Sequence, residues 1–250
     1  MHFTGWSFSD SGLNIRQILR ARASWACVLT IIAVQAVVSL NGGPESLSAW
    51  FETLGLSRTG FLSGKIWQLL SYGLLHGSWL HTSLNALFVL LIGSRIEHIA
   101  GWGTMVRATM AGVLGGGTLH ILLGHDLLVG LSGGFVALLL LLTTLSPRSR
   151  MFPLPISGRS LGIGIMLAES FLTLIDPSLH LPGVSAAGVW LAGHGVGDWF
   201  RLGHACHVGG GLAGWFYGRW LLRPRITLAT LRRDRERREQ QESGKSVLKP

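Results

Sequence analysis

Charge is scarce in this chain: Asp, Glu, Lys and Arg make up 13% of its 250 residues, about half of the roughly 25% usual in soluble globular domains. So thin a supply of charge cannot cover the surface of a water-soluble protein whose residues are 48% hydrophobic, and it points to a lipid-embedded fold. Acidic groups are scarcer still, 12 against 21 Lys and Arg, for a formal net charge of +9. Much of the basic excess lies between Arg223 and Lys249, after the last apolar segment. A solvated cytoplasmic tail beside anionic lipid accounts for it better than a nucleic-acid surface does. Cysteine is nearly absent: Cys27 and Cys206 open the first and last apolar segments, which excludes a disulfide framework. No cleavable signal is expected at the N-terminus, because Arg16, Arg20 and Arg22 precede the first apolar segment and no small-residue cleavage site follows it.

Glycine, by contrast, is abundant, with 35 residues, which suits closely packed membrane helices. Six apolar stretches predict an all-α, polytopic six-helix bundle, with spans at 23–41, 79–97, 104–123, 131–146, 160–176 and 205–222. The chain then divides into a cytoplasmic N-terminal segment (1–22), a membrane domain (23–222) and a basic cytoplasmic tail (223–250). Arginines set the orientation. Arg16, Arg20 and Arg22 precede the first span, Arg95 and Arg107 flank the turn after the second, Arg148, Arg150 and Arg159 follow the fourth, and the arginine-rich tail follows the sixth. By the positive-inside rule both termini face the cytoplasm. The fourth span, which is short, starts at Ser132, and the sixth starts near His207. Both residues are thereby placed at one depth near the outer face, with Ser132 below the membrane surface in a depression that water can enter.

Serine needs a base to become a nucleophile, and imidazole is the usual one. Taken alone, Ser132 reads equally as a helix-capping residue and His207 as a buried histidine bonding a neighbouring helix. Gly130-Leu131-Ser132-Gly133-Gly134 also fits the G-x-S-x-G nucleophile elbow, but that motif needs a strand before it and an α/β fold around it. Small residues four apart, Gly133 and Ala137 beside Ser132 and Gly210 and Gly214 beside His207, predict close approach of the two helices. His81 and Asn85, at i and i+4, share a helical face with donors that either stabilise an oxyanion or bond neighbouring helices.

These segments resemble the rhomboid family of intramembrane serine proteases over about residues 60–220. The likeness is carried by His76, His81 and Asn85 in H-x4-H-x3-N, by Gly93-Ser94-Arg95-Ile96-Glu97 followed by Gly101, by the GLSG at Ser132, and by HVGGGLAG from His207. The resemblance implies a Ser132–His207 dyad with no catalytic acid. It gives His81, Asn85 and the Ser132 backbone N–H to an oxyanion hole, and lets His76 order the first loop or contribute to the site. It implies substrates that are transmembrane helices of other proteins, cut near the outer face through an acyl-enzyme, with gating by the fifth span and the loop after it. Two positions depart from the family pattern: Gln68 follows Trp67 where arginine is frequent, and Val136 stands four residues after the serine where an aromatic is common, with Phe135 one place earlier. The long stretch 177–204 is expected to cover the site. Leu131, rather than proline, precedes the serine, which favours activity.

Other ionisable groups receive structural readings. Glu169, inside the fifth span, could be a triad acid or proton relay, but nothing in the sequence places it near His207, and it reads as a structural hydrogen bond with its proton retained. His125 and Asp126 read as solvated loop residues, and His120 as a packing residue. His194 and His204 lack the spacing of a metal motif, and no cofactor or metal is expected. The expected partners are transmembrane-helix substrates and membrane lipid, not nucleic acid, in a bacterial inner membrane. Two other functions stand against proteolysis: a catalytically silent relative that binds client transmembrane helices, and a transporter, which would call for paired intramembrane charges and inverted repeats.

Overall fold

The computed structural model describes residues 15–124, 126–151, 156–224, 231–233 and 235–240. His125 and much of both basic terminal segments lie outside the described residues. Six principal helices follow the six apolar stretches: α1 (Arg22–Leu40), α2 (Trp79–Ala100, with a π turn at Val89–Gly93), α3 (Trp102–Leu123), α4 (Ser132–Leu145), α5 (Gly158–Ile175) and α6 (His204–Leu221). Among the described residues there are no strands, only isolated bridges such as Leu56 with Leu128. Helices α1, α2, α3 and α5 are long and apolar enough to cross a membrane. α4 has 14 residues, ten of them buried. It is apolar all round because it has neighbours all round.

Glycine decides how close those neighbours come. A Cβ on Gly112 of α3 would lie 2.6 Å from the Gly133 carbonyl oxygen and 2.9 Å from the Gly134 Cα, both on α4. One turn on, a Cβ on Gly115 would lie 2.9 Å from the Gly209 carbonyl of α6, and Gly116 faces Cys206 in the same way. The Gly210 backbone abuts that of Gly133, and Gly214 that of Ala137. Both contacts advance by four residues on each helix, so α4 and α6 run parallel with their backbones touching at both points.

Polar groups close the helix ends. Glu97, at the end of α2, accepts from the Ala23 and Ser24 amides (3.2 and 2.6 Å) and from the Ser24 hydroxyl (2.6 Å). A carboxylate thus caps the N-terminus of α1, where the helix dipole favours negative charge. Gly101, at φ +86°, makes the tight turn into α3. Ser78 and Ser157 cap α2 and α5 by accepting from the amides of His81 and Ser160.

The first loop folds as short helices at Gly43–Ser46, Ser48–Leu54, Arg58–Leu62 and Gln68–Ser71. Gln68 is fully buried among them. Its Nε2 donates to the Glu52 and Thr53 carbonyls (3.0 and 3.3 Å) and its Oε1 accepts from the Ser57 amide (3.3 Å). A neutral amide holds this loop, at the position after Trp67 where the resemblance leads one to expect arginine. The C-terminal unit, from Trp220 onward, includes helical residues at 231–233 and 235–240, with an exposed Arg235–Glu239 pair at 2.7 Å.

Gly112→Leu is expected to destabilise the protein in detergent by about 1–3 kcal/mol or more through overpacking, whereas Gly164→Leu on α5, with nothing within 4 Å of its Cβ position, should leave the unfolding midpoint in place. Equal midpoints for both variants would contradict the close approach of α3 and α4.

Candidate active site

The turn before α4 places Ser132. Gly130 has φ +116°, and a Cβ on it would come within 2.6–2.7 Å of the His81 ring. Glycine is therefore needed there both for the backbone conformation and for the space the imidazole fills. Tyr72 anchors the same turn: its carbonyl accepts from the Gly130 amide (2.9 Å) and its hydroxyl donates to the Val113 carbonyl (2.7 Å). Leu131 occupies the cap position of α4 and supplies no side-chain acceptor, and Ser132 is the first helical residue. The Ser132 hydroxyl therefore does not sit at the capping position. The amides of this first turn point outward with the positive end of the helix dipole.

His207 enters from α6, one turn before the Gly210–Gly133 contact. Side chains on a helix lean toward its N-terminus, so the Ser132 and His207 side chains both lean toward the Gly130 end of this parallel pair. Phe135 lies beside the His207 ring (centroids 6.2 Å apart, tilted 53°) and stacks on Phe88 at 5.0 Å. Val136 is buried and points to Gly211. The aromatic neighbour of His207 thus comes from position 135. Nε2 of His207 is buried with no hydrogen-bond partner among the described residues, so it is not bonded to Ser132 in this structure. In unliganded sites such bonds are often long and tighten only with substrate.

Glu169 departs from its sequence reading. Its Oε2 lies 3.0 Å from Nδ1 of His207 and 2.7 Å from Nδ1 of His204, and Nε2 of His204 donates to the Trp199 carbonyl (2.8 Å). Glu169 is therefore a neighbour of His207, across 38 residues of sequence. A carboxyl group in an apolar span has to find a polar partner. His204 and His207, at i and i+3 on one face of α6, were the signal that could have identified it. The three ligand-type atoms lie within 4.8 Å of one another, a donor set of the kind that can hold a divalent ion. His194 belongs elsewhere, with its Nδ1 on the Trp190 carbonyl at 2.7 Å.

Asn85 is buried, and its Nδ2 donates to the His81 carbonyl (3.0 Å), leaving the second Nδ2 hydrogen for another acceptor. His76 is fully buried with its ring edge-on to His81 at 4.9 Å. Burial first, then the neighbouring His81, lower its pKa from 6.5 to about 4. His120 binds the Asp126 carbonyl with Nε2 (2.9 Å) and so fixes the loop between α3 and α4. The segment 177–204 folds as short helical turns at Pro177–Leu179, Ser185–Leu191, Ala192–Val196 and Gly197–Leu202, and it meets the site through the Trp199 carbonyl. Cys206 is buried near the Tyr72 hydroxyl (3.6 Å), and both cysteines are free.

The family model for the Rhomboid domain matches residues 63–224, well over half of the chain. No curated protein matches it significantly.

A group whose pKa is lowered on folding binds fewer protons in the native state, so its contribution is complete above the unfolded value and is lost on acidification. For His76 the window runs from about pH 6.5 down to about 4, and a shift of this size corresponds to roughly 3 kcal/mol. The stability advantage of the parent over His76→Gln should therefore shrink across that window in detergent unfolding experiments. A difference that stays constant with pH would contradict a neutral, buried His76.

Proposed function

The chain belongs to the rhomboid family, and from that premise we propose that it is an intramembrane serine endopeptidase that cuts membrane-spanning segments of other proteins. The observation that carries this reading is the backbone contact of Gly133 with Gly210, which brings the helix bearing Ser132 and the helix bearing His207 together one residue after the serine and three after the histidine.

In the proposed reaction Ser132 Oγ attacks the scissile carbonyl while His207 Nε2 takes its proton. The resulting oxyanion accepts from the Ser132 amide, His81 and the spare hydrogen of Asn85. Nε2 then gives the proton to the departing amine as the C–N bond breaks, which leaves an acyl-enzyme. A water activated by the same imidazole hydrolyses the ester and frees Ser132. Helix α4, with 14 residues, spans about 21 Å of a roughly 30 Å hydrocarbon layer. That shortfall supports a recessed serine reached by water from one side.

The arginine distribution supports cytoplasmic termini and hence cleavage near the outer face; the compact six-span layout fits a bacterial inner membrane. The unformed Ser132–His207 hydrogen bond is the observation on the side of a silent member that only binds client helices.

Cleavage of single-span substrates in proteoliposomes separates the two readings. The parent should cut them, and Ser132→Ala and His207→Ala should fall to background while remaining folded. Asn85→Ala should slow cleavage by roughly tenfold to 10³-fold, as expected for one oxyanion donor among several. A folded parent that cuts none of a broad panel would favour the client-binding reading.

A further inference from the structure

We infer that Glu169 is a positioning residue for His207, so that the site works as a Ser132–His207–Glu169 chain with His204 as the partner that keeps the carboxylate in place. This inference rests on the serine-protease reading above. A single carboxylate oxygen, Glu169 Oε2, meets Nδ1 of His204 at 2.7 Å and Nδ1 of His207 at 3.0 Å. Both separations are hydrogen-bonding distances, and the shorter falls in the charge-assisted range.

On the inference that Glu169 is ionised, the hydrogens follow by counting acceptors. The Trp199 carbonyl only accepts, so Nε2 of His204 carries a hydrogen. An ionised Glu169 also only accepts, so Nδ1 of both histidines carries one. His204 then holds a hydrogen on each nitrogen, and its positive charge offsets the carboxylate. Without such a partner an ionised acid would not persist in an apolar span. His207 holds its hydrogen on Nδ1, which leaves the Nε2 lone pair free. Nε2 is also the atom left buried without a partner, and it is the atom that must take the Ser132 proton.

Two consequences for the reaction follow. The ring of His207 is fixed in the tautomer that can act as a base, which a packing contact alone would not select. When Nε2 gains the serine proton, the positive charge that develops on the ring faces the Glu169 carboxylate. The proton stays on Nε2 until the leaving amine takes it, and Glu169 gains none. Phe135 also lies beside the ring. His204 also ties the relay to the segment after α5 through Trp199, so displacement of the turn at Gly197–Leu202 would be felt at the catalytic base.

The test compares cleavage kinetics and histidine NMR for the parent, Glu169→Gln and Glu169→Asp in detergent. In Glu169→Gln the amide NH2 can donate to Nδ1 and stabilise the wrong tautomer, so kcat should fall by about 10²–10⁴-fold with KM little changed. Asp keeps the carboxylate and should restore part of that loss. The parent should also show a downfield Nδ1–H proton signal, assigned to His207 by its absence in His207→Ala, that moves upfield in Glu169→Gln. Parent-level kcat in Glu169→Gln, or no such signal in the parent, would overturn the inference. Loss of parent activity on chelation, with recovery on adding Zn²⁺, would also overturn it by assigning the three groups to a metal. A parent that cuts no substrate would instead sink the protease reading itself, and this inference would fall with it.

Discussion

Three helix backbones meet at Gly133, approached by Gly112 from one helix and by Gly210 from another, and the proposed chemistry of the site depends on that contact. In lipid the helices gain nothing from hiding apolar surface from one another, so van der Waals contact and hydrogen bonding must hold them. Glycine supplies the first by letting carbonyl oxygens and Cα atoms touch. The same contact fixes the rotation of α4 against α6. Ser132 lies one residue before that contact on α4 and His207 three residues before it on α6.

The second constraint is that no polar group in such an interior can remain without a partner at low cost. Glu97 meets it at the cap of α1, and Gln68 meets it by bonding three backbone groups of the first loop. Glu169 meets it with two imidazoles. In the first two cases the polar group stabilises the frame. In the third, the carboxylate has two partners: His204, which in the proposed assignment offsets its charge, and His207, the residue proposed to act as the base.

Much of this was legible in the sequence. Uninterrupted apolar stretches with arginines at their ends locate all six helices to within a few residues, because span length is set by bilayer thickness. The turn at Gly130–Ser132 and the glycines at 210 and 214 are local signals that can be read without a structure. The pairing of Glu169 with His207 was not legible. It joins residues 38 apart on different helices, and it depends on helix rotation, which composition does not specify. The role of Phe135 was hidden for a similar reason. Its ring reaches His207 from a position one residue from the expected one, supported by Phe88 on a third helix. Gln68 illustrates a further limit: an amide can satisfy by geometry what a charge satisfies by strength, and only the loop fold reveals it.

The central claim is that Ser132 is an activated nucleophile within a membrane domain. The most direct measurement is mass-spectrometric mapping of the adduct formed when the folded protein in detergent is treated with a fluorophosphonate. The account predicts one covalent phosphonyl group, on Ser132, and none on the other serines of the chain. A folded protein that remains unmodified, or that carries the adduct at another serine, would contradict it.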